Sequence, residues 1–336
     1  MSESALSNPV LNLGDGDWVK EVFGSEILAK VGKQRLRKCR ASILKNHLGK
    51  TIIEYSMAFD DDDSPSMYIG VLRSDHGWRA QKHAFSMLDM LTTSRFDACS
   101  DLRVPRPILY TRIPAFCLME KAEGKLLREL VQEQEFSGKA NNAILGAARW
   151  LAKLHNSHLR INKIRSANDE MIAALKFRRA LVRILPPIAS SIDSICKELV
   201  RILKASKCDD FRLIHGDYNP SNILCSENNI TVIDFPESCM GDPAFDVGYF
   251  IAQTKMSCGF TRGTAVCGTF LDKYLEDSNS AKDYLQKRIG IYEAHTYLQR
   301  LYHTYWLLRL SPDQDLASEW LNESKLCLEK VRDVRN

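Results

Sequence analysis

The sequence predicts an α+β protein with a small antiparallel sheet in its N-terminal part and a larger, mostly helical C-terminal part. Between about residues 41 and 120, short runs rich in β-branched and aromatic residues alternate with polar turns, which is typical of antiparallel strands. Beyond Gly124, apolar residues recur at helical spacing in several long segments. A chain of 336 residues is long enough for two domains. We therefore predict an N-terminal domain over residues 1–120 and a C-terminal domain over 121–336.

Composition excludes several classes of function. The net charge is +4, from 46 basic and 42 acidic residues that are dispersed along the chain, so no nucleic-acid-binding surface is expected. The ten cysteines form no CxxC pair and no spacing typical of a metal site, which indicates free thiols in a reducing compartment. No apolar run approaches the roughly 18 residues that a membrane-spanning helix needs. The sequence predicts a soluble, cytoplasmic protein without a membrane or nucleic-acid partner.

The N-terminal domain is predicted to begin with an arm that carries a short helix. The predicted elements are that helix over residues 18–23, strands over 41–44, 51–59, 67–73, 108–111 and 115–120, and a helix over 78–91 with Trp78, Phe85, Leu88 and Leu91 as its core stripe. Four acidic residues, 60–63, lie in the turn after the second of these strands. Adjacent carboxylates in a turn are more often solvated than metal-binding, so we expect no metal there.

The C-terminal domain is predicted to be built from helices. Their predicted ranges are 126–134, 142–155, two helices within 165–207 that are broken at Pro186-Pro187, 247–254, 269–275, 283–310 and 320–334. The helix over 283–310 carries an aromatic stripe: Tyr292, Tyr297, Tyr302, Tyr305 and Trp306. Such a stripe is usually core, although part of it could also line a substrate site.

The candidate catalytic and metal-binding residues lie in one segment of the chain. His215-Gly216-Asp217 is followed five residues later by Asn222 and twelve residues after that by Asp234. A tight turn at Asn219-Pro220-Ser221 should bring Asn222 back beside Asp217, and a hairpin turning at residues 228–229 should return Asp234 to the same level. Phosphoryl transfer needs a carboxylate to accept a hydroxyl proton and oxygen ligands for magnesium. The spacing therefore indicates a kinase site.

The sequence HGDYNPSNIL, followed by VIDFPESCMGDPAFDVG, resembles the aminoglycoside phosphotransferase and choline kinase-like family. The resemblance implies the two-lobed protein-kinase-like fold and a reaction that uses ATP and Mg²⁺. It also implies that Asp217 is the catalytic base, that Asn222 and Asp234 are the metal ligands, and that Asp246 braces the catalytic loop. ARWLAKLH resembles the helix that precedes this loop in the family, and we expect its His155 to be packed and hydrogen-bonded in support of the loop.

The resemblance extends more weakly into the N-terminal domain. LMEKAEGK resembles the family's hinge, which implies that the backbone of Met119, Glu120 and Lys121 binds the adenine edge. MYIGVLR resembles the strand that carries a basic residue for the α- and β-phosphates, and Arg73 is its basic residue. A helix glutamate normally pairs with this basic residue. We expect His83 at that position.

Three classes of function fit these motifs to different degrees. The first is a kinase acting on a hydroxyl of a small molecule, and the second is a catalytically silent nucleotide-binding or scaffolding protein of the same fold. A protein kinase fits less well, because HGD stands in place of HRD, IDFP in place of DFG, and no Ala-Pro-Glu follows. The acceptor stays open among aminoglycosides, choline-like alcohols, homoserine, thiamine and sugars, and so does the oligomeric state.

Overall fold

The computed structural model describes residues 9–47, 49–60, 62–73, 77–94, 96, 101–133, 138–206, 208, 210–227 and 229–333. The chain divides into two compact units. The first comprises the residues up to Gly124 together with Ser226–Glu237, and the second comprises Lys125–Cys225 and the residues from Ser238 onward. The sequence-based division into 1–120 and 121–336 did not include the return of residues 226–237 to the first unit.

The elements follow the predicted order of strands first and helices later. Up to Glu120 they are α1 (Pro9–Leu13), α2 (Gly16–Val31), β1 (Leu36–His47), β2 (Lys50–Phe59), β3 (Ser66–Arg73), α3 (Trp78–Thr93), β4 (Leu102–Arg103), β5 (Pro107–Thr111) and β6 (Ala115–Glu120). They continue as β7 (Lys125–Leu126), α4 (Leu127–Gln132), α5 (Gly138–His155), α6 (Ala167–Ile184), α7 (Ala189–Ala205), β8 (Arg212–Ile214), β9 (Ile223–Cys225), β10 (Ile230–Val232), β11 (Cys239–Gly241), α8 (Ala244–Cys258), α9 (Phe260–Asp277), α10 (Lys282–Tyr302) and α11 (Gln314–Asp333). The predicted α+β class is confirmed.

The first unit is a five-stranded antiparallel sheet in the order β1-β2-β3-β6-β5. Side chains along β2 alternate between buried and half-exposed, as expected for a sheet with one covered face. The hydroxyl of fully buried Tyr55 donates to the carbonyl oxygen of Leu13 at 2.7 Å. Gly70 leaves room for two rings, because a Cβ there would lie 2.6 Å from Phe116 and 2.7 Å from Tyr55. Within the same unit, β10 pairs in parallel with β4.

Helix α2 is longer than the predicted helix over 18–23. It begins after Asp15, whose carboxylate caps the N–H groups of Asp17 and Trp18, and it ends at Gly32 with φ 73°. Gly24 in its middle interrupts the helical pattern of the sequence and shortened the prediction.

Acidic residues of the turn after β2 pair with basic residues just before β1 and at its start. The Nζ atom of Lys33 lies 2.5 Å from Asp62, and the Nε atom of Arg37 lies 3.3 Å from Asp60. In the described part of the chain, no group of three or more His, Cys, Asp or Glu side chains could hold a metal ion. The turn is therefore an ion-pair cluster.

Helices α6 and α7 pack their apolar side chains into the core of the second unit. The side chains of Phe177, Leu181, Ile192, Ile195, Leu199 and Ile202 join one core with residues of α10 and α11. The predicted break at Pro186-Pro187 is a 3₁₀ turn between α6 and α7. The predicted helix over 126–134 begins instead as the short strand β7, and its last residue, Gln134, lies outside the described residues. No described helix is both long enough and apolar enough to cross a membrane.

The prediction of one helix over 283–310 was wrong at its C-terminal end. Helix α10 ends at Tyr302, a π-helical turn covers His303–Leu307, and Arg309 has φ 54°. Four aromatic residues of the predicted stripe are buried: Tyr292, Tyr297, Tyr302 and Tyr305. Trp306 is 45% exposed, because the wider π turn rotates it out of the core.

Candidate active site

The loop after β8 holds Asp217 and Asn222 side by side, as the turn chemistry predicted. Asn222 Nδ2 donates to Asp217 Oδ2 at 2.9 Å, and Asn219 Nδ2 donates to Asp217 Oδ1 at 3.1 Å. Both amides also bind the carbonyl oxygen of Asp217. Asn219 caps the following 3₁₀ turn by accepting from the N–H of Ser221 at 2.9 Å. The carboxylate is thus fixed by two amide donors.

Asp246 braces this loop from helix α8, as predicted. Its carboxylate is fully buried and accepts from the N–H of His215 at 2.6 Å and from the N–H of Gly216 at 2.8 Å. Gly216 has φ 79°, which favours glycine where the chain turns toward Asp217. His155 is 2% exposed and lies between Tyr274 (Nδ1 to hydroxyl, 2.7 Å) and Asp246 (Nε2 to carboxylate, 3.3 Å). The predicted supporting role of His155 is confirmed.

An aromatic anchor holds the loop from the other side. Tyr218 is fully buried, its hydroxyl donates to the carbonyl oxygen of Ala147 at 2.7 Å, and its ring stacks on Trp150 with centroids 5.8 Å apart. Neighbouring residues of the loop therefore point in different directions, with Tyr218 in the core and Asp217 only partly buried.

Asp217 opens into a cavity of about 550 Å³ within the second unit. The walls come from four helices and the loop: Arg128 and Gln132 of α4, Tyr249, Gln253, Met256 and Ser257 of α8, Arg300 of α10, Trp320 of α11, and the loop residues from Asp217 to Asn222, Tyr218 excepted. A cavity of this size accommodates a small organic molecule. None of the helical wall residues could be recognised as cavity-lining from the sequence, because residues spaced along helices carry no local signal of a shared cavity.

Tyr249 lies in the wall of this cavity together with Asp217. Burial raises the pKa of its hydroxyl well above the ordinary value, and the charge and hydrogen bonding of Asp217 raise it further. Arg300 and Gln253 act on the pKa of Tyr249 in the opposite direction. Tyr249 therefore stays a neutral hydroxyl next to Asp217.

In the first unit, two cations surround Asp234. The Nζ atom of Lys50 lies 3.2 Å from Asp234 Oδ2, and a terminal guanidinium nitrogen of Arg73 lies 3.9 Å from Oδ1. Asp234 has φ 68°, a left-handed conformation that is uncommon for residues other than glycine and recurs at functional sites. The structure thus brings Arg73 and Asp234 together. Sequence reasoning missed Lys50, because the contact joins residues far apart in the chain.

The prediction that His83 occupies the helix position facing Arg73 was wrong, because Gln81 contacts Arg73 there. The Nε atom of Arg73 donates to Gln81 Oε1 at 3.2 Å, and Gln81 Nε2 donates to the carbonyl oxygen of Val71 at 3.0 Å. Gln81 is 3% exposed, so an uncharged amide takes the position where the resemblance predicted a carboxylate. The error was one of register between α3 and β3.

The segment predicted to bind adenine lies at the end of β6. The N–H of Glu120 donates to the carbonyl oxygen of Arg106 at 2.9 Å, and the N–H of Lys121 donates to that of Met67 at 3.0 Å. The Lys121 ammonium pairs with Glu54. Because these two N–H groups are already hydrogen-bonded, a purine bound at Met119 to Lys121 would have to pair with other groups of this segment.

The donor chemistry of Asn222 and Asp234 fits magnesium. Mg²⁺ prefers a few oxygen ligands supplemented by water and phosphate oxygens. Asn222 turns its amide nitrogen toward Asp217, which leaves the amide oxygen as a ligand. Asp234 carries two acceptor oxygens that now face cations. The remaining ligands would come from water and nucleotide.

The chain is similar to known proteins in sequence and in fold. Protein LicA homolog of Mycoplasma capricolum subsp. capricolum is 27% identical to this chain over 170 residues. The matched stretch is 51% of this chain and 65% of that protein, so it spans less than two thirds of that protein's length. The ADP-bound aminoglycoside phosphotransferase APH(2'')-Ib superposes with a TM-score of 0.57 at 14% identity, covering 92% of this chain and 98% of its own. Choline kinase from Cryptosporidium parvum Iowa II gives 0.60 at 12% identity, covering 88% and 90%.

These two structures show the fold, and the predicted protein-kinase-like fold is thereby confirmed. Residues 71–284, well over half of the chain, match the model of a family described as phosphotransferase enzymes. The chain therefore belongs to the phosphotransferase enzyme family.

Proposed function

We propose that this protein is a kinase that transfers the γ-phosphate of ATP, with Mg²⁺, to a hydroxyl group of a small molecule. The observation that carries the proposal is the Asp217 carboxylate, held by two amide donors and open to a cavity of about 550 Å³. A carboxylate fixed in this way can align a hydroxyl and accept its proton. The family match supports phosphoryl transfer as the reaction.

The roles of the remaining residues follow from their chemistry. Asn222 and Asp234 would hold Mg²⁺, which when bound neutralises charge on the transferred phosphoryl group. Arg73 and Lys50 would bind phosphate oxygens of the nucleotide, because both cations already lie beside Asp234. The backbone around Met119, Glu120 and Lys121 would bind adenine. Structurally similar phosphotransferases are bound to ADP in one case and to GDP in another, which supports a purine nucleotide as the donor.

The test uses the full-length chain with Mg-ATP and a panel of alcohols, with ADP release as the readout. Asp217→Asn should lower kcat by at least about 100-fold, because a general base contributes 10²–10⁴-fold, and it should leave ATP affinity unchanged. Asp272→Asn, an exposed carboxylate in the middle of α9, is the matched control and should behave like the parent.

Two results would contradict the proposal. Unchanged turnover in Asp217→Asn on an accepted alcohol would exclude Asp217 as the base. A parent protein whose melting temperature does not respond to Mg-ATP, and which releases no ADP with any alcohol, would instead be the catalytically silent member of the fold.

A further inference from the structure

The charge of the cavity beside Asp217 is unlike that expected for a cationic acceptor. Among the described residues that line it are two arginines, Arg128 from α4 and Arg300 from α10, and one carboxylate, Asp217 itself. The other polar side chains of the walls are uncharged. Asp217 is assigned to the reacting hydroxyl. The rest of a bound substrate would therefore meet more positive than negative charge on the cavity walls.

The Arg300 side chain forms no ion pair and no hydrogen bond with any described residue. Its Nε atom is buried without a hydrogen-bond acceptor in that part of the chain. Other arginines of the second unit are paired: Arg165 with Glu170, Arg178 with Asp193, and Arg288 with Asp242. A buried donor of a charged group is costly unless it is satisfied. An anionic occupant of the cavity would satisfy it.

Arg300 is also near the reacting position. Both Asp217 and Arg300 act on the pKa of Tyr249, which lines the cavity, and both act on the pKa of His303, which follows Arg300 by three residues. The π-helical turn begins at His303 and interrupts α10 just beyond Arg300. Arg128 lies at the exposed rim, and it too forms no ion pair with any described residue. One cation therefore stands inside the cavity and another at its edge.

Building on the kinase function proposed above, we infer that the acceptor is an anionic hydroxy compound whose carboxylate or phosphate group is bound by the Arg300 guanidinium. In the reaction, the acceptor oxygen forms a bond to the γ-phosphorus, the bond from that phosphorus to the β,γ-bridging oxygen breaks, ADP leaves, and the hydroxyl proton goes to Asp217. The arginine gives the acceptor a second fixed point, because guanidinium can hold two oxygens of one anion at once. Polycationic and quaternary ammonium acceptors are disfavoured by the same charges.

The experiment compares three charge classes at matched ionic strength. The probes are glycerate, glycerol 3-phosphate and glucose 6-phosphate; glycerol and glucose; and choline and kanamycin. In the absence of ATP, we expect anionic probes to raise the melting temperature of the parent, and the neutral and cationic probes to leave it unchanged. With Mg-ATP, at least one anionic probe should support ADP release with the highest kcat/KM of the panel.

Variants of Arg300 identify the group responsible. Arg300→Gln should raise KM for the anionic acceptor by about 10- to 100-fold, which is the range for one hydrogen bond to a charged group, while KM for ATP stays at the parent value. Arg300→Lys should recover part of the loss. Arg183→Gln, an exposed arginine in the last turn of α6, is the matched control and should match the parent.

The outcomes separate this inference from the kinase proposal. A higher kcat/KM for choline, kanamycin or a neutral probe than for every anion would overturn the anionic acceptor and leave the kinase standing. An Arg300→Gln variant that raises KM for ATP alone would assign the guanidinium to the nucleotide, which also overturns it. If ADP is never released but anions still stabilise the parent and not Arg300→Gln, the anion site stands and the kinase proposal fails.

Discussion

Replacing Asp246 by asparagine should destabilise the second unit and impair catalysis together. In the parent, one carboxylate oxygen accepts from the N–H of His215 at 2.6 Å and the other from the N–H of Gly216 at 2.8 Å. Asparagine keeps one oxygen and places an amide nitrogen where the other was. Whichever way the amide is turned, one buried backbone donor then faces another donor.

The size of the effect follows from these two bonds. Leaving a buried donor unsatisfied costs about 1–3 kcal/mol, and the surviving bond loses its charge assistance, which is worth roughly a further 1 kcal/mol. We therefore expect Asp246→Asn to lower the free energy of unfolding by about 2–4 kcal/mol. Because Gly216 immediately precedes Asp217, misplacement of the loop should also lower kcat by roughly 10- to 100-fold, with KM for ATP affected less.

Urea unfolding followed by circular dichroism measures the first quantity, and ADP release at saturating ATP measures the second. Asp272→Asn supplies the matched control, with an expected change within about 0.5 kcal/mol for an exposed helix position. Asp246→Ala should cost more than Asp246→Asn, since both acceptors are lost. If Asp246→Asn unfolds at the parent's urea concentration and keeps the parent's kcat, the brace has been misassigned.

Three further outcomes are expected. Lys50→Ala should raise KM for ATP by about tenfold, since it removes a cation 3.2 Å from Asp234, and steady-state kinetics against ATP measure this change. Gly248→Ala should lower the free energy of unfolding by about 1–3 kcal/mol in urea titrations, because its Cβ would lie 2.6 Å from a backbone oxygen of α10. Stability should fall as pH drops below about 6.5, where the unfolded chain binds a proton that buried His295 resists, and urea titrations at several pH values should show a shallower fall in His295→Gln.

The first two of these have a control in the same chain. Lys45→Ala removes an exposed lysine of β1 and should leave KM for ATP unchanged. Gly268→Ala, in α9 with no atom within 4 Å of its Cβ position, should stabilise by about 0.5–1 kcal/mol. For His295, burial is the first cause of its lowered pKa, Glu170 opposes it and Arg165 adds to it. A His295→Gln variant with the parent's full acid sensitivity would place the effect on other groups.

The sequence was most informative where structure is decided locally. Asn222 returns to Asp217 because Asn219 and Pro220 dictate the turn, and the predicted break at Pro186-Pro187 follows from the two prolines. Asp246 was placed correctly through the family resemblance. These features depend on a few neighbouring residues whose backbone preferences are strong.

What the sequence could not give depends on packing between distant segments. Gln81 and His83 are two positions apart on α3, and only the seating of that helix on the sheet decides which one meets Arg73. Lys50 reaches Asp234 across a large separation in sequence. Arg300 lies in a helix whose aromatic residues indicated only a core position. No sequence pattern predicted the π-helical turn that follows it.

The return of residues 226–237 to the first unit affects how the protein can fold during synthesis. Strand β4 obtains its parallel partner β10 only after the ribosome has passed residue 232. The N-terminal sheet can pair its five strands early, but Asp234, and with it the contact to Lys50, arrives after about half of the second unit has been made. A nascent chain stopped at Gly124 would therefore carry the five-stranded sheet, an unpaired β4 and no Asp234, so that this unit is completed late although its synthesis begins first.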